Sequence, residues 1–327
     1  MSLRIERRVM KLWKLWVVMA CIAGSSLDTA LAAYPDKPVR LIVPYPAGGG
    51  SDAVARVVAK KLSDLWGQAV VIDNRAGADT QLGNVAVATA APDGYTLLLI
   101  ATTFKIHKHF VASLPYDPEK DFTPIAPLAV YPYWLVVGNE VPVKTVADLV
   151  ALAKKNPGKL NHAVSSGGQY VLAELMKKSA GIDVLAVRYK GGTPAVQATV
   201  TGEVTYHLDQ PGSFKPMIDA GKLRVLAVTG DKRSPLVPDA PTFAEAGLAG
   251  GEIVSWLGLA GPKGMAPQQV EFINAAVRSA LDSPDVKHQL NMLIATPMVM
   301  TVRGFDDFVR KEGERYTETI NRHGIKY

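Results

Sequence analysis

The chain has 327 residues, of which 48% are hydrophobic and 20% are charged. This composition excludes an intrinsically disordered protein, and the length allows about two globular domains. The net charge is +6, from 36 basic and 30 acidic residues, but the first 32 residues hold five of the basic residues and two of the acidic ones. The remainder therefore carries only +3, and it has no basic block interleaved with aromatic residues, so we expect no nucleic-acid partner.

The N-terminus has the pattern of an export signal. Basic residues up to Lys14 precede a charge-free stretch of 13 residues, which is shorter than the roughly 20 apolar residues of a membrane span. The following Ala-Leu-Ala fits a signal-peptidase site, so we predict a signal peptide over 1–32 with cleavage before Ala33. The alternative is a lipoprotein acylated at Cys21, the only cysteine of the chain.

Short apolar runs then alternate with amphipathic stretches, a pattern typical of α/β folds with parallel strands. The predicted strands lie, in chain order, at 39–43, 69–73, 95–100, 160–164, 184–189, 204–209 and 223–228. Five helix starts are predicted. Two follow the first two strands, one capped by Ser51 and Asp52 and one near Asp79 and Thr80. The others follow a capping box at Thr145, the loop 165–168, and Thr193 as N-cap before Pro194. From Pro267 onward the chain is predicted to be mostly helical.

A unit of strand, glycine loop and helix recurs along the chain. It is found at 39–62, 160–176 and 184–200, and in a form with less glycine at 96–103. In open parallel sheets the carboxyl ends of the strands gather at one edge, where ligands bind. Several helix N-termini at that edge would bind an anion through backbone amides, without any arginine. The pattern therefore predicts an anion site.

Three groups of polar residues lie at predicted strand ends. The glycine loop that ends in Ser51 and Asp52 is neither a P-loop nor a dinucleotide fingerprint, so it either holds a carboxylate or is an ordinary turn. The hydroxyl pairs 102–103 and 165–166 either donate hydrogen bonds to a ligand or cap helices. Asp209 closes its strand, either at a cleft edge or in solvent.

Sequence patterns of catalytic and metal sites are missing from the chain. No G-x-S-x-G elbow surrounds a serine, and no histidine has a partner at H-x-x-x-H or H-E-x-x-H spacing. We therefore expect no catalytic residue, no metal and no cofactor. The aromatic residues Tyr131, Tyr133 and Trp134 could stack on an aromatic ligand, but packing in the core or a hinge is favoured.

A series of motifs along the chain resembles the Bug family of substrate-binding receptors, the soluble components of tripartite tricarboxylate transporters. The motifs are VPYPAGGGSD (43–52), VIDNRAGA (71–78), APDGYTLLL (91–99), LPYDP (114–118), DF (121–122), NPGKL (156–160), YKGG (189–192), AGKLR (220–224), LAV (226–228) and KRSP (232–235). They occur in the family's order and spacing over essentially the whole mature chain, and such a series is highly specific.

This resemblance implies a two-lobed fold of the type II periplasmic-binding-protein kind. Each lobe would be a mainly parallel sheet flanked by helices, with the ligand cleft between lobe one (33–137 plus 229–327) and lobe two (138–228). The implied function is periplasmic capture of a small carboxylate or an amino-acid-like ligand by lobe closure, for integral-membrane permease subunits. We expect a monomer without enzymatic activity. The alternatives are an exported ligand sensor with the same pocket and an exported α/β enzyme acting on a carboxylated substrate.

The resemblance, together with the strand-end pattern, also assigns the ligand-binding residues. They are Tyr45, Ala47, Gly48, Gly49, Gly50, Ser51, Asp52, Asp79, Thr80, Thr102, Thr103, Ser165, Ser166, Gly167, Gly168, Gly191, Gly192, Thr193 and Asp209. The chain departs from the family's pattern at Ala47, at Asp79 and in the shortened loop over 165–169. If Asp79 faces the ligand it favours an amino group or a neutral end, and if it is only an N-cap it has no such effect.

Overall fold

The computed structural model describes residues 34–111 and 113–326. The predicted signal peptide over 1–32, its cleavage before Ala33 and the alternative acylation at Cys21 all lie outside the described residues. Within the described ranges, no helix combines the length and the apolar character needed to cross a membrane.

The described strands form two sheets. In chain order they are β1 (Val39–Val43), β2 (Val70–Asn74), β3 (Thr96–Ala101), β4 (Phe122–Tyr131), β5 (Trp134–Gly138), β6 (Asn161–Val164), β7 (Leu185–Arg188), β8 (Tyr206–Asp209), β9 (Leu223–Val228), β10 (Ser255–Pro262) and β11 (Thr296–Pro297). The first sheet has the order β11-β4-β10-β3-β1-β2, and the second has the order β7-β6-β8-β5-β9.

Both sheets are mixed, with four strands of each pointing in one direction. In the first sheet β1 is parallel to β2 and β3, while β10 runs antiparallel to β3 and β4. In the second, β6 is parallel to β7 and β8, while β5 runs antiparallel to β8 and β9. The predicted two-lobed α/β architecture is confirmed.

Helices connect the strands and cover the sheets. They are α1 (Gly50–Trp66), α2 (Gln81–Ala88), α3 (Thr103–Ile106), α4 (Val146–Lys155), α5 (Gly167–Ala180), α6 (Gly192–Val200), α7 (Pro211–Asp219), α8 (Pro267–Asp282), α9 (Pro284–Met292) and α10 (Val302–His323). The predicted capping box of α4 is present, because the Thr145 hydroxyl accepts from the Asp148 amide and the Asp148 carboxylate accepts from the Thr145 amide.

Two predicted helix starts are wrong. Helix α6 begins at Gly192 with Gly191 as N-cap, so Thr193 lies inside the first turn and caps nothing. Gly191 has φ 114°, a value that glycine tolerates. The helix therefore begins one residue before Thr193. Helix α1 likewise begins at Gly50 after Gly49, and its N-cap is not Ser51 or Asp52.

Four strands were not predicted, namely β4, β5, β10 and β11. In β4 and β10, prolines and glycines interrupt the apolar pattern. In the structure Pro124 pairs with Ala260 and Pro127 with Gly258, and the register shifts next to each of these pairs. Such irregularities accommodate a residue that donates no ladder hydrogen bond.

The first sheet is buried on both faces. Leu97 and Leu99 of β3 pack in one cluster with apolar residues of α1 and α8, while Leu98 packs on the opposite face with Trp256 and Phe305. This alternation explains why β3 reads in the sequence as a continuous apolar run. The second sheet has its own apolar clusters.

Helix α10 packs against both lobes. Its early residues Phe305 and Val309 belong to a cluster of the first sheet, and its later residues Tyr316 and Ile320 belong to a cluster of the second.

The chain changes sheet between Tyr131 and Trp134, so β5 pairs with the second sheet.

The two chain crossings are hydrogen-bonded to each other. The Tyr133 amide donates to the Thr229 hydroxyl at 2.8 Å, and the Thr229 amide donates to the Tyr133 carbonyl at 2.9 Å. These paired bonds lie beside the cleft between the sheets. The lobe boundaries at 137/138 and 228/229 stay a prediction.

Replacing Thr145 by alanine should lower the free energy of unfolding by about 1 kcal/mol, because the first turn of α4 loses its side-chain acceptor. Thr193→Ala is the matched control and should leave stability unchanged, since Thr193 is exposed and caps nothing. Urea denaturation of both variants measures the difference, and equal effects would contradict the assigned caps.

Candidate functional site

The carboxyl ends of strands from both sheets face one cleft. Its cavity measures about 50 Å³, several times the roughly 10–15 Å³ that one water molecule needs. The lining residues are Tyr45, Pro46, Gly49, Gly50, Ser51, Ala101, Thr102, Thr103, Tyr133, Ser165, Ser166, Gln169, Gly191, Gly192, Thr193, Asp209, Gln210, Ser213 and Ser255. Among the residues that the structure describes, no lysine, arginine or histidine lines this cavity.

Most of the residues assigned from the sequence come together at this cleft. Those that line it are Tyr45, Gly49, Gly50, Ser51, Thr102, Thr103, Ser165, Ser166, Gly191, Gly192, Thr193 and Asp209. The others, which do not line it, are Ala47, Gly48, Asp52, Asp79, Thr80, Gly167 and Gly168. The ligand-binding role of the whole set stays a prediction.

Asp52 holds the first glycine loop in shape. Its carboxylate accepts hydrogen bonds from the Gly48 amide at 2.9 Å, from Arg56 Nε at 2.8 Å and from Asn74 Nδ2 at 2.9 Å. Burial alone would raise the pKa of Asp52, but these three donors outweigh it and hold the pKa below its ordinary value. Asp52 is therefore an ionised residue that orders the loop from behind.

Asp79 lies against a buried histidine and outside the cavity lining. Its Oδ2 is 3.3 Å from Nε2 of His107, whose Nδ1 is 2.8 Å from the Tyr116 hydroxyl. The N-cap of α2 is Thr80, so Asp79 is not the N-cap, which was one of the two roles considered for it from the sequence. Asp79, Thr80 and the preceding Ala78 all have positive φ, an unusual conformation for three successive residues other than glycine.

The glycines at the start of α5 lie just behind the cleft surface. A Cβ at Gly168 would be 3.0 Å from the Tyr133 hydroxyl, and a Cβ at Gly167 would be 3.0 Å from the Phe110 ring. These positions bring the helix start close to the first lobe without contributing side chains to the cavity.

Four helices of eight residues or more begin at the cleft. The residues at or next to their starts that line it are Gly49 and Gly50 for α1, Ser166 for α5, Gly191 and Gly192 for α6, and Gln210 for α7. None of the four starts has a side-chain cap, in contrast to α4 and α10. Their first turns therefore leave backbone N–H groups without partners inside the helix.

The two lobes touch across the cleft. A Cβ at Gly191 would lie 2.6 Å from Cγ of Pro46, so only glycine permits this approach. Nearby, Gln210 Nε2 donates to the Ser51 hydroxyl at 3.4 Å. The walls contributed by β1–α1 and by the second sheet are thus in direct contact.

Asp209 supplies the only carboxyl group of the described lining. Its Oδ1 accepts from Gln169 Nε2 at 2.6 Å and from the Gln210 amide at 2.7 Å. Burial raises the pKa of Asp209 to about 7, although these donors and Ser213 act in the opposite direction. The side chain is therefore poised between its neutral and its charged form near neutral pH.

Sequence reasoning missed part of the lining, namely Pro46, Ala101, Gln169, Gln210, Ser213 and Ser255. Gln169 and Gln210 stand directly beside assigned residues, so a wider window around each strand end would have found them. Ser213 lies in α7, which Pro211 and Pro216 conceal as a helix, and Ser255 begins the unpredicted β10. Tyr133 lines the cleft as well as packing in the core, while Tyr131 and Trp134 pack in apolar clusters.

No group of three or more histidine, cysteine, aspartate or glutamate side chains within residues 34–111 and 113–326 could hold a metal ion.

Two α/β lobes around a polar cleft define the periplasmic binding-protein class of fold, which solved relatives share. Residues 54–325 match the family described as "Tripartite tricarboxylate transporter family receptor", TctC. The chain belongs to this family of periplasmic receptors, whose members bind solutes for transport and are not enzymes. The resemblance to the Bug receptors is confirmed.

Individual relatives agree with this assignment. Protein BugT of Bordetella pertussis is 31% identical over 313 residues, which cover 94% of this chain and 96% of BugT. The structure of R. palustris Rpa4515 with adipate has a TM-score of 0.87 and 33% identity, covering 90% of this chain and 99% of that one. MatC from Rhodopseudomonas palustris with bound malate has a TM-score of 0.82 and 33% identity, covering 88% and 100%.

Replacing Asp52 by alanine should lower the free energy of unfolding by about 1–3 kcal/mol at neutral pH, because three donors lose a buried acceptor. The pKa of Asp52 is lowered in the folded state, so this stabilisation is present above the unfolded pKa of 3.8 and is lost as the pH falls through the folded value. Urea denaturation at neutral and at acid pH measures both effects.

Asp64→Ala is the matched control on the same helix. Asp64 pairs with Lys60 at 3.8 Å on the exposed face, where ion pairs contribute little. A loss of stability at Asp64 equal to that at Asp52 would contradict the role of Asp52 in the loop.

Proposed function

We propose that this protein captures a small dicarboxylate between its lobes and holds it chiefly through main-chain amides. The observation that carries the proposal is the convergence of four helix starts without side-chain caps on a cleft whose described lining has no lysine or arginine. Backbone N–H groups and helix dipoles favour an anion there. The structures of Rpa4515 with adipate and MatC with malate support a dicarboxylate as the ligand class.

Capture would proceed by closure of lobe two (138–228) over lobe one (33–137 plus 229–327). The contact of Pro46 with Gly191 and the small cavity support this proposal, because a ligand larger than a few water molecules enters only if these walls separate. A ligand shifts the balance between open and closed forms by its higher affinity for the closed form. Permease subunits in the membrane would then recognise the loaded, closed receptor.

The proposal includes the route to the periplasm. We propose export by a signal peptide over 1–32, cleavage before Ala33, and a monomeric mature receptor. The assigned ligand-binding residues that line the cleft would contact the ligand or its bridging waters, while Asp52 would act through the shape of the loop.

Adipate and malate should each raise the melting temperature of the purified mature chain and give saturable heats by calorimetry. Their dimethyl esters, which keep the carbon chain and remove both charges, should bind far more weakly. Binding of the esters with equal affinity, or no binding of mono-, di- or tricarboxylates, would overturn the proposal.

The main-chain contact is tested by Gly50→Pro. Gly50 is the first residue of α1, where proline fits the helix, and Gly49 has φ −78° and ψ 167°, a conformation that suits a residue before proline. The substitution removes one amide N–H from the cleft, so dicarboxylate affinity should fall by about tenfold or more.

Gly50→Ala is the control for added volume. It places the same Cβ against the Gln210 side chain but keeps the amide, so it should bind more tightly than Gly50→Pro. Calorimetry on both variants, with circular dichroism to verify folding, measures the difference. Equal affinities for the two variants would argue against amide binding at α1.

A further inference from the structure

Asp209 presents an electrostatic problem for a site that binds anions. It is 3% exposed and is the only carboxyl group in the described lining of the cleft, which has no cationic side chain. A dicarboxylate held in this cavity would therefore lie beside a buried acid with no positive charge to separate them. Two carboxylates that share such a site cannot both be ionised without a large cost.

The groups around Asp209 leave it without a charged partner. On its own strand, His207 Nε2 is 3.8 Å from Asp209 Oδ2, beyond hydrogen-bonding distance. Burial, with a contribution from His162 on β6, lowers the pKa of His207 to about 3, and burial lowers that of His162 to about 4, so both rings are neutral.

The two phenols that face Asp209 are also neutral, and the two lysines of the neighbouring elements lie outside the described lining of the cleft. Burial raises the pKa of Tyr133, beside β5, and of Tyr45, on the first glycine loop, so both phenols keep their protons. On the elements of the second lobe, Lys190 is exposed before α6, and Lys215 of α7 pairs with Asp219. Gln169 and Ser213 are the polar neighbours on α5 and α7, and neither carries a charge.

The two oxygens of Asp209 have different surroundings. Oδ1 accepts from both Gln169 and the Gln210 amide. Oδ2 lies at the start of α6, where a Cβ on Gly192 would be only 2.8 Å away. A ligand carboxylate bound to the first amides of α6 would therefore meet Oδ2, and a proton on that oxygen converts repulsion into a short hydrogen bond.

We propose that Asp209 binds the ligand as a neutral carboxyl, donating its proton from Oδ2 to a ligand carboxylate oxygen, so that capture takes up a proton from solution. This inference rests on the proposed dicarboxylate function and specifies the protonation of that same site. The proton stays on Asp209 and no covalent bond changes in the ligand.

The expected pH dependence follows from the two forms of the free protein. Because the pKa of Asp209 is raised to about 7, most of the free receptor already holds the proton below pH 7. In that range the dicarboxylate affinity should not depend on pH. Above it the binding-competent fraction falls about tenfold per pH unit, and the affinity falls with it. A carboxylate beside Oδ2 raises the pKa further in the complex, so uptake approaches one proton at alkaline pH.

The test is calorimetry of the mature chain with adipate between about pH 6 and pH 8.5, where most of the ligand is the dianion. Each pH is measured in two buffers of different ionisation enthalpy, which gives the number of protons exchanged. We expect near-zero exchange at the acid end, close to one proton taken up at the alkaline end, and a roughly tenfold or larger loss of affinity across the range.

Asp209→Asn separates this role from simple packing. The amide keeps an acceptor for Gln169 and the Gln210 amide, and it presents a donor in the place of the protonated oxygen. The variant should bind adipate with an affinity independent of pH and without proton uptake. Asp64→Asn, on the exposed face of α1, is the matched control and should keep the wild-type pH profile.

Binding without proton exchange at any pH would overturn this inference and leave the dicarboxylate function intact. Proton release on binding would also overturn it, because Asp209 would then be ionised in the complex, as expected beside a ligand ammonium group. Wild-type exchange is measured without any variant, so the inference is tested even if Asp209→Asn does not fold. No binding of dicarboxylates at any pH would refute both the function and this inference.

Discussion

The proposed binding mode depends on backbone N–H groups that helices leave unpaired at the carboxyl ends of strands. The starts of α1 and α6 line the cleft, and each follows a strand and a short glycine loop, so the chain presents amides where another protein would place arginines. Amides positioned by two sheets cannot turn away, and they carry no charge that must be desolvated when the lobes meet. The cleft can thus close to a small volume without burying an unpaired cation.

Close approach of the lobes requires glycine at particular positions. At Gly191 any side chain would collide with Pro46 across the cleft, and within the opposite wall itself a side chain at Gly192 would collide with the Asp209 carboxyl. Asp52 completes the arrangement from outside, because it ties the Gly48 amide to Arg56 and Asn74 and so holds the first loop in the conformation that places Pro46. The proposed selectivity for an anion and the proposed closure therefore depend on the same loops.

The fold and much of the site were predictable because their signals are local. Alternating apolar runs, the capping box at Thr145 and glycines after strands each depend on neighbouring residues, and motif order identified the family. The errors arose where tertiary contacts decide: β4 and β10 tolerate Pro127 and Gly258 because they pair with each other through shifted registers. The sequence could not show whether Tyr133 lines the cleft or packs in the core, because its side chain does both.

The position of Asp79 removes one reason to expect a ligand with an amino group. From sequence it could have faced the ligand and selected an amino group, but it lies beside His107 and outside the described lining. The acid that does line the cleft is Asp209, whose burial without a cation favours the protonated form. A neutral carboxyl donates to an oxygen and offers no fixed charge to an ammonium group, so the electrostatics of the cleft favour a second carboxylate over an α-amino group. In the proposed binding mode, discrimination between dicarboxylates would depend on the distance between the helix starts on the two walls, which closure would set.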